Sequence, residues 1–375
     1  MQISSNFDSG NIHVVTATDP QNIILEIKKD NQSDFFQWFH FKLHNNERCE
    51  HVLKITNAKE AAYLEGWHDY QAVASYDREH WFRVPTEFDG DNLTITFTPE
   101  HDSVFFAYFA PYSYERHLDF IHNAQLDIDC QLQVLGQTLD GRDLSLLKIG
   151  DEGEGKKVIW LTARQHPGET MAEWFMEGFI DRLLDEDDGV ARALLNKAVF
   201  YLVPNMNPDG SVRGHLRTNA AGTNLNREWA EPSMEKSPEV FLVRNKMMVT
   251  GVDMHLDIHG DEALPVNFVA GCEGIPSYDQ RHQSLEDSFK KILLAITPEF
   301  QDIKGYAKDE PGCANLTLAS NWVGEQFKCL AYTVEMPFKD NELLPDYSVG
   351  WSDIRSSLFG RDVLTAIYHI VDDLR

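Results

Sequence analysis

Basic residues are scarce in this chain of 375 residues: 33 lysines and arginines face 60 aspartates and glutamates, a formal charge of −27. Neutralising phosphates needs a cationic face, so nucleic acid is not expected as a partner. An acidic surface of this kind keeps a protein dispersed by self-repulsion. Cysteine is also sparse. The five thiols (Cys49, Cys130, Cys272, Cys313, Cys329) are odd in number and show no CxxC spacing, which argues against a disulfide framework or a thiolate zinc cluster. No run of about 18 apolar residues could span a bilayer, so no membrane is expected as a partner. The first residues, MQISSNFDSGNIHVV, lack a basic stretch followed by an apolar one, so no secretory signal is expected and the chain reads as cytoplasmic.

Apolar residues make up 42% of the chain and aromatics 11%, ample for sizeable cores. The length suits two domains, or one large domain with an appendage. The pattern changes character near residue 115. Before it, short alternating segments at 23–27, 38–43, 52–55, 93–97 and 104–109 are separated by turn-rich pieces such as Asn45-Asn46 and Asp89–Asn92. Period-2 alternation at that spacing predicts an antiparallel β-sandwich, with no long helix.

After residue 115, apolar strands are expected at 158–163, 198–203, 252–258, 266–270 and 330–334. Helices are expected over Met171–Leu183, from the spacing of Met171, Trp174, Phe175, Phe179 and Leu183, and over 238–249, 283–296 and 358–374. Strands alternating with helices imply α/β architecture: a mixed, mainly parallel sheet flanked by helices. The division is therefore an all-β sandwich domain over 1–114 and a second domain over 115–375. In such sheets, binding residues gather beyond the carboxyl ends of strands.

Four clusters stand at such ends. His166-Pro-Gly-Glu169 (HPGE) follows the strand at 158–163, with Pro167 and Gly168 disfavouring a regular helix between two good zinc ligands. HxxE alone occurs often by chance. Asn205–Gly210 (NMNPDG) follows the next strand and is a turn signal in its own right. Arg217 and Arg227 come just after it, in a Gly- and Asn-rich loop. Guanidinium groups there suit a carboxylate, and the amide of Asn226 could add a donor, although arginines of this kind also serve in surface ion pairs. His259 closes the strand at 252–258 and is preferred as a third ligand over His255, which lies inside that strand. Glu335 ends the strand at 330–334 before Pro337, where a carboxylate can move protons or simply finish a strand.

In order, HPGE at 166–169, NPDG at 207–210, Gly214-x-x-Arg217, NLNREW at 224–229, DIHG at 257–260 and TVEMPF at 333–338 resemble the M14 (funnelin) zinc metallocarboxypeptidases. The cytosolic carboxypeptidase subfamily, with its bacterial members, is most similar, and FAPYSYER at 109–116 resembles its junction between an N-terminal β-domain and the catalytic domain. The resemblance implies one zinc per chain, held by His166, Glu169 and His259. It implies Glu335 as general base and acid toward a zinc-activated water, and Arg217 as the group that polarises the scissile carbonyl. Asn226 and Arg227 would hold the C-terminal carboxylate of a peptide or protein tail. Counting back from Glu335 by the family's spacing puts Ser320 near the floor of the side-chain pocket.

Three positions depart from the family. Asn224 stands where Asp is common behind a zinc-bound imidazole, and His215 where the subfamily often has Asn. The family's substrate-capping tyrosine has no obvious counterpart, Tyr306 being the nearest upstream. Two other readings are an aspartoacylase-like zinc amidohydrolase of N-acyl amino acids and a catalytically inactive peptide-binding relative. The preferred C-terminal residue, the role of the first domain and the oligomeric state do not follow from the sequence.

Overall fold

In a computed structural model of the protein, residues 1–44 and 48–375 are described, so the turn expected at Asn45-Asn46 lies outside the described residues. The chain first builds two five-stranded sheets. One runs in the order Gln2–Ser4, His40–His44, Ser103–Ala107, Val73–Ser75, Phe82–Arg83; the other His13–Thr16, Ile23–Glu26, His51–Ile55, Leu93–Phe97, Thr86–Phe88. Alternation places Ile23, Leu25, Leu53, Ile55, Leu93 and Ile95 inward, all fully buried. One pairing departs from the antiparallel expectation: Ile23–Glu26 and His51–Ile55 run parallel. Between them the chain crosses to the opposite sheet as His40–His44, and a strand returning from such a crossing can re-enter pointing the same way.

The second region holds a seven-stranded mixed sheet, ordered Cys130–Gln137, Asp143–Ile149, Ala198–Val203, Lys157–Ala163, Met254–Asp261, Leu330–Pro337, Phe268–Ala270. The four strands from Ala198–Val203 to Leu330–Pro337 are parallel, and the outer pairings are antiparallel. Their near-continuous apolar sequence has a simple cause. Ile159 and Leu161 enter a core with Phe175, Phe179 and Phe359, whereas Trp160 between them enters a second core with Tyr201, Val243 and Val323. Helices cover both faces: Met171–Leu183, Gly189–Lys197, Gln280–Ile296 and Asp353–Ile370 on one, Pro238–Thr250 and Ala319–Phe327 on the other.

Several boundaries differ from expectation. The last long helix begins at 353 rather than 358, because Ser352 caps it by accepting from the Arg355 N–H at 3.3 Å. It ends at 370, passing into a 3-10 turn over Val371–Asp373. The helix expected from 283 starts at 280, capped by Asp279. The strands expected to end at 258 and 334 run on to Asp261 and Pro337, pairing with each other throughout. Strand Cys130–Gln137 escaped the sequence reading because an edge strand with Gln131, Gln133 and Gln137 carries little apolar signal.

Candidate active site

The parallel register sets the site. Ala163, the last residue of one central strand, pairs with Ile258, and on the next strand His259 lies directly opposite Glu335. His259 and Glu335 therefore project side by side at the carboxyl end of the sheet. The HPGE turn starts from Arg164, a fully buried residue in the left-handed region at φ +57°. Its guanidinium donates to the Pro167 carbonyl at 3.0 Å, the Tyr112 carbonyl at 2.9 Å and Glu173 Oε2 at 2.7 Å. Removing one partner of such a buried pair costs about 3–5 kcal/mol, so this arginine fixes the turn firmly. Nothing in the spacing of the sequence pointed to it.

His166, Glu169 and His259 are all buried, and their ligand atoms lie within 4.8 Å of one another. His166 Nδ1 is 2.7 Å from Glu169 Oε1, and His259 Nδ1 is 2.7 Å from Glu169 Oε2. The outer nitrogens face acceptors as well: His166 Nε2 lies 3.0 Å from Asn224 Oδ1, and His259 Nε2 lies 2.7 Å from Asp257 Oδ2. Asn224 thus faces the His166 ring through a neutral carbonyl oxygen.

Counting protons tests whether a metal fits. Burial, with Arg217 adding to it, lowers the pKa of His166 to about 4, so its ring is neutral near pH 7 and has one N–H for two acceptors. Burial disfavours the charged form of His259 too, but the carboxylates of Asp257 and Glu169 outweigh it and hold that pKa well above the usual histidine range. Three protons then serve four acceptor contacts. A cation held by His166, Glu169 and His259 would remove the deficit, because each ring would then need only one N–H, donated outward to Asn224 or Asp257. Two imidazoles and a carboxylate form a common catalytic zinc set, so these residues fit zinc.

A cavity of about 630 Å³ opens over these three residues, and its walls include Arg217, Asn226, Arg227, Ser320, Thr333 and Glu335. All the candidate site residues are therefore gathered in one place. Arg217 Nη1 lies 3.9 Å from Glu169 Oε1. Asn226 commits its amide oxygen to the Ala319 N–H at 2.8 Å, its NH2 lies 3.4 Å from His259 Nε2, and Arg227 donates to the Asn226 carbonyl at 2.6 Å. The hydroxyls of Ser320 and Thr333 are 3.0 Å apart. Burial raises the Glu335 pKa well above the usual carboxylate range; His259 opposes this, whereas Glu169 and Asp261 reinforce it. Its Oε2 is buried without a hydrogen-bond partner.

Tyr306, set aside in the sequence as only the nearest candidate, enters the cavity: its hydroxyl lies 2.7 Å from Asp261 Oδ2 and 3.0 Å from Glu335 Oε1. Tyr63, from the first β-region, also lines the wall. NPDG, by contrast, supports the site from behind. Asn207 donates to the Gln165 carbonyl at 3.0 Å, and Asp209 accepts from Thr138 Oγ1 and from Arg142, both at 2.8 Å.

Comparisons with known proteins give the family of the chain. The zinc carboxypeptidase family model matches residues 118–350, and the model described as the cytosolic carboxypeptidase N-terminal domain matches residues 3–109. The chain belongs to the M14 zinc carboxypeptidases. It is thus a hydrolase of the peptidase class, and its family implies a zinc cofactor and peptide substrates. A metallo-carboxypeptidase from Pseudomonas aeruginosa, solved in complex with (2-guanidinoethylmercapto)succinic acid, is 51% identical with a TM-score of 0.98, each chain covered in full. One from Burkholderia cenocepacia is 49% identical with a TM-score of 0.96 over 99% of both chains. Mouse cytosolic carboxypeptidase 6 is 30% identical over 78% of this chain and 59% of its own length. Among the described residues, no helix of this M14 chain is long and apolar enough to cross a membrane, and all five cysteines are free.

Proposed function

We propose that this M14 protein removes single residues from the C-termini of peptides or protein tails, using one zinc per chain held by His166, Glu169 and His259. The observation that carries the reading is Glu335: it lies across the ladder from His259, and its buried Oε2 has no partner. Zinc, when bound there, supplies Lewis acidity that makes water acidic and polarises a carbonyl. Glu335 takes the proton from the attacking water and returns it to the leaving amine. Arg217 holds the oxygen of the scissile carbonyl as charge develops on it. Arg227 and the NH2 of Asn226 hold the substrate's terminal carboxylate, which restricts the cut to the last peptide bond. Ser320 and Thr333 give the side-chain pocket a small hydroxyl floor that favours neither sign of charge. The first β-region, 1–114, and the catalytic region, 115–375, are read as two domains, supported by family matches that end and begin at 109 and 118. Free thiols and relatives named as cytosolic support a cytoplasmic location.

Arg227→Ala tests the exopeptidase assignment. A hydrogen bond to a charged group contributes about 1.5–3 kcal/mol, so KM for peptides with free C-termini should rise about 10- to 100-fold, with kcat changing much less. Affinity for (2-guanidinoethylmercapto)succinic acid, which carries two carboxylates, should fall in parallel. Steady-state kinetics and inhibitor titration on wild type and variant decide this. An unchanged KM would remove Arg227 from the clamp.

A further inference from the structure

The loop that presents Arg217 is held from the first β-region, and the hold converges on one carboxylate. Asp30, only 3% exposed, accepts from three consecutive backbone N–H groups, of Leu216 at 2.7 Å, Arg217 at 2.8 Å and Thr218 at 2.9 Å, and from Thr218 Oγ1 at 3.1 Å. Successive amides converging on a carboxylate form an anion-binding nest, whose bonds are charge-assisted and stronger than neutral ones. They fix the backbone on both sides of Arg217 and so set the direction in which its side chain leaves. The guanidinium then lies near two rings of the same β-region, 5.2 Å from the centroid of Tyr63 and 5.7 Å from that of Phe35.

The same loop reaches the metal ligands. The Leu216 carbonyl accepts from the Gly168 N–H at 2.9 Å, inside the turn between His166 and Glu169. Further bonds from the β-region hold the loop along its length: Asn11 Nδ2 to the Gly214 carbonyl at 2.8 Å, the Asn31 N–H to His215 Nε2 at 3.0 Å, and Asn31 Nδ2 to the Ala220 carbonyl at 2.7 Å. Gly214 permits the approach: it has φ +70°, and a Cβ there would lie 2.6 Å from the Ser9 carbonyl oxygen.

We propose that Asp30 is a positioning residue for Arg217, making the N-terminal β-region part of the catalytic apparatus. This rests on the reading of Arg217 as the group that stabilises the developing oxyanion. Asp30 acts only through the loop, so its effect on turnover should vanish once Arg217 is gone. A residue that merely tied two regions together would weaken the enzyme regardless of Arg217.

A double-mutant cycle on full-length, zinc-loaded protein tests this, using a peptide with a free C-terminus. Asp30→Asn keeps the side-chain volume and one oxygen but turns an NH2 toward the loop amides, so it decides the matter even where Asp30→Ala fails to fold. The expected result is a fall in kcat of about 10-fold for Asp30→Asn and up to about 100-fold for Asp30→Ala, bounded by the effect of losing an oxyanion donor. KM should change less than about threefold, and zinc content should not change. In the Arg217→Ala background, Asp30→Asn should cause no further loss of kcat. Wild-type kcat in Asp30→Asn, or the same fractional loss in both backgrounds, would overturn the proposal alone. Absence of peptide turnover in the wild type would overturn the peptidase reading and this proposal with it.

Discussion

Glu335→Gln is expected to retain zinc and lose about 10²- to 10⁴-fold in kcat, the usual contribution of a positioned acid or base. The amide matches the carboxylate in shape but cannot accept the proton. Zinc should remain because the converging donor set is His166, Glu169 and His259, without Glu335. The fold should not suffer either. Burial holds the Glu335 pKa well above the ordinary carboxylate range, with Glu169 and Asp261 adding to the shift. A carboxyl whose folded pKa is raised stabilises the fold when protonated, and that stability is lost as pH rises from its unfolded pKa through its folded one. In metal-free protein, the variant's Tm should therefore equal or exceed that of the wild type, and the gap should widen with rising pH across that window. Steady-state kinetics, metal analysis and thermal melts at several pH values together check this. Near-wild-type turnover in the zinc-loaded variant would remove Glu335 as the base.

Arg217→Ala should lower kcat by about 10²- to 10³-fold, as does loss of a preorganised oxyanion donor. Zinc occupancy should persist, since Arg217 lies 3.9 Å from Glu169 Oε1 and outside the donor set. Arg217→Lys should recover only part of the loss: it keeps a charge but not the planar fork that lies near the Tyr63 and Phe35 rings. The same kinetic and metal measurements apply. A kcat within about threefold of wild type would assign oxyanion stabilisation to another group.

How legible the site is in the sequence depends on the kind of residue. His166, Glu169, His259 and Glu335 lie after or near the ends of apolar strands, so hydrophobic periodicity points to their neighbourhood, and the ordered motifs from HPGE to TVEMPF single them out. Their proximity then follows from a parallel register, with His259 opposite Glu335. Asp30, Tyr63 and Arg164 give no such signal. Each is a single polar or aromatic residue whose role depends on contacts far along the chain, as in Asp30 accepting from Arg217 N at 2.8 Å. Tyr306 lies in a segment without regular structure between Gln280–Ile296 and Ala319–Phe327, where no periodicity indicates which way a side chain points. NPDG is ambiguous for a physical reason: the residues that make a good turn also make a good buttress, and here Asn207 bonds the residue before HPGE while Asp209 holds the turn at 138–142. The departures in the β-region, above all the parallel pairing of Ile23–Glu26 with His51–Ile55, come from sheet-to-sheet crossing, which alternation within one strand cannot encode.

The most direct measurement is mass spectrometry of peptides that vary in their C-terminal residue, each with a free and an amidated terminus. Zinc-loaded protein is incubated with them, with a chelator, and with zinc restored after chelation. The account predicts loss of single residues from free termini only, abolished by the chelator and recovered with zinc. Cleavage that proceeds equally on amidated peptides, or persists in the chelated protein, would contradict it.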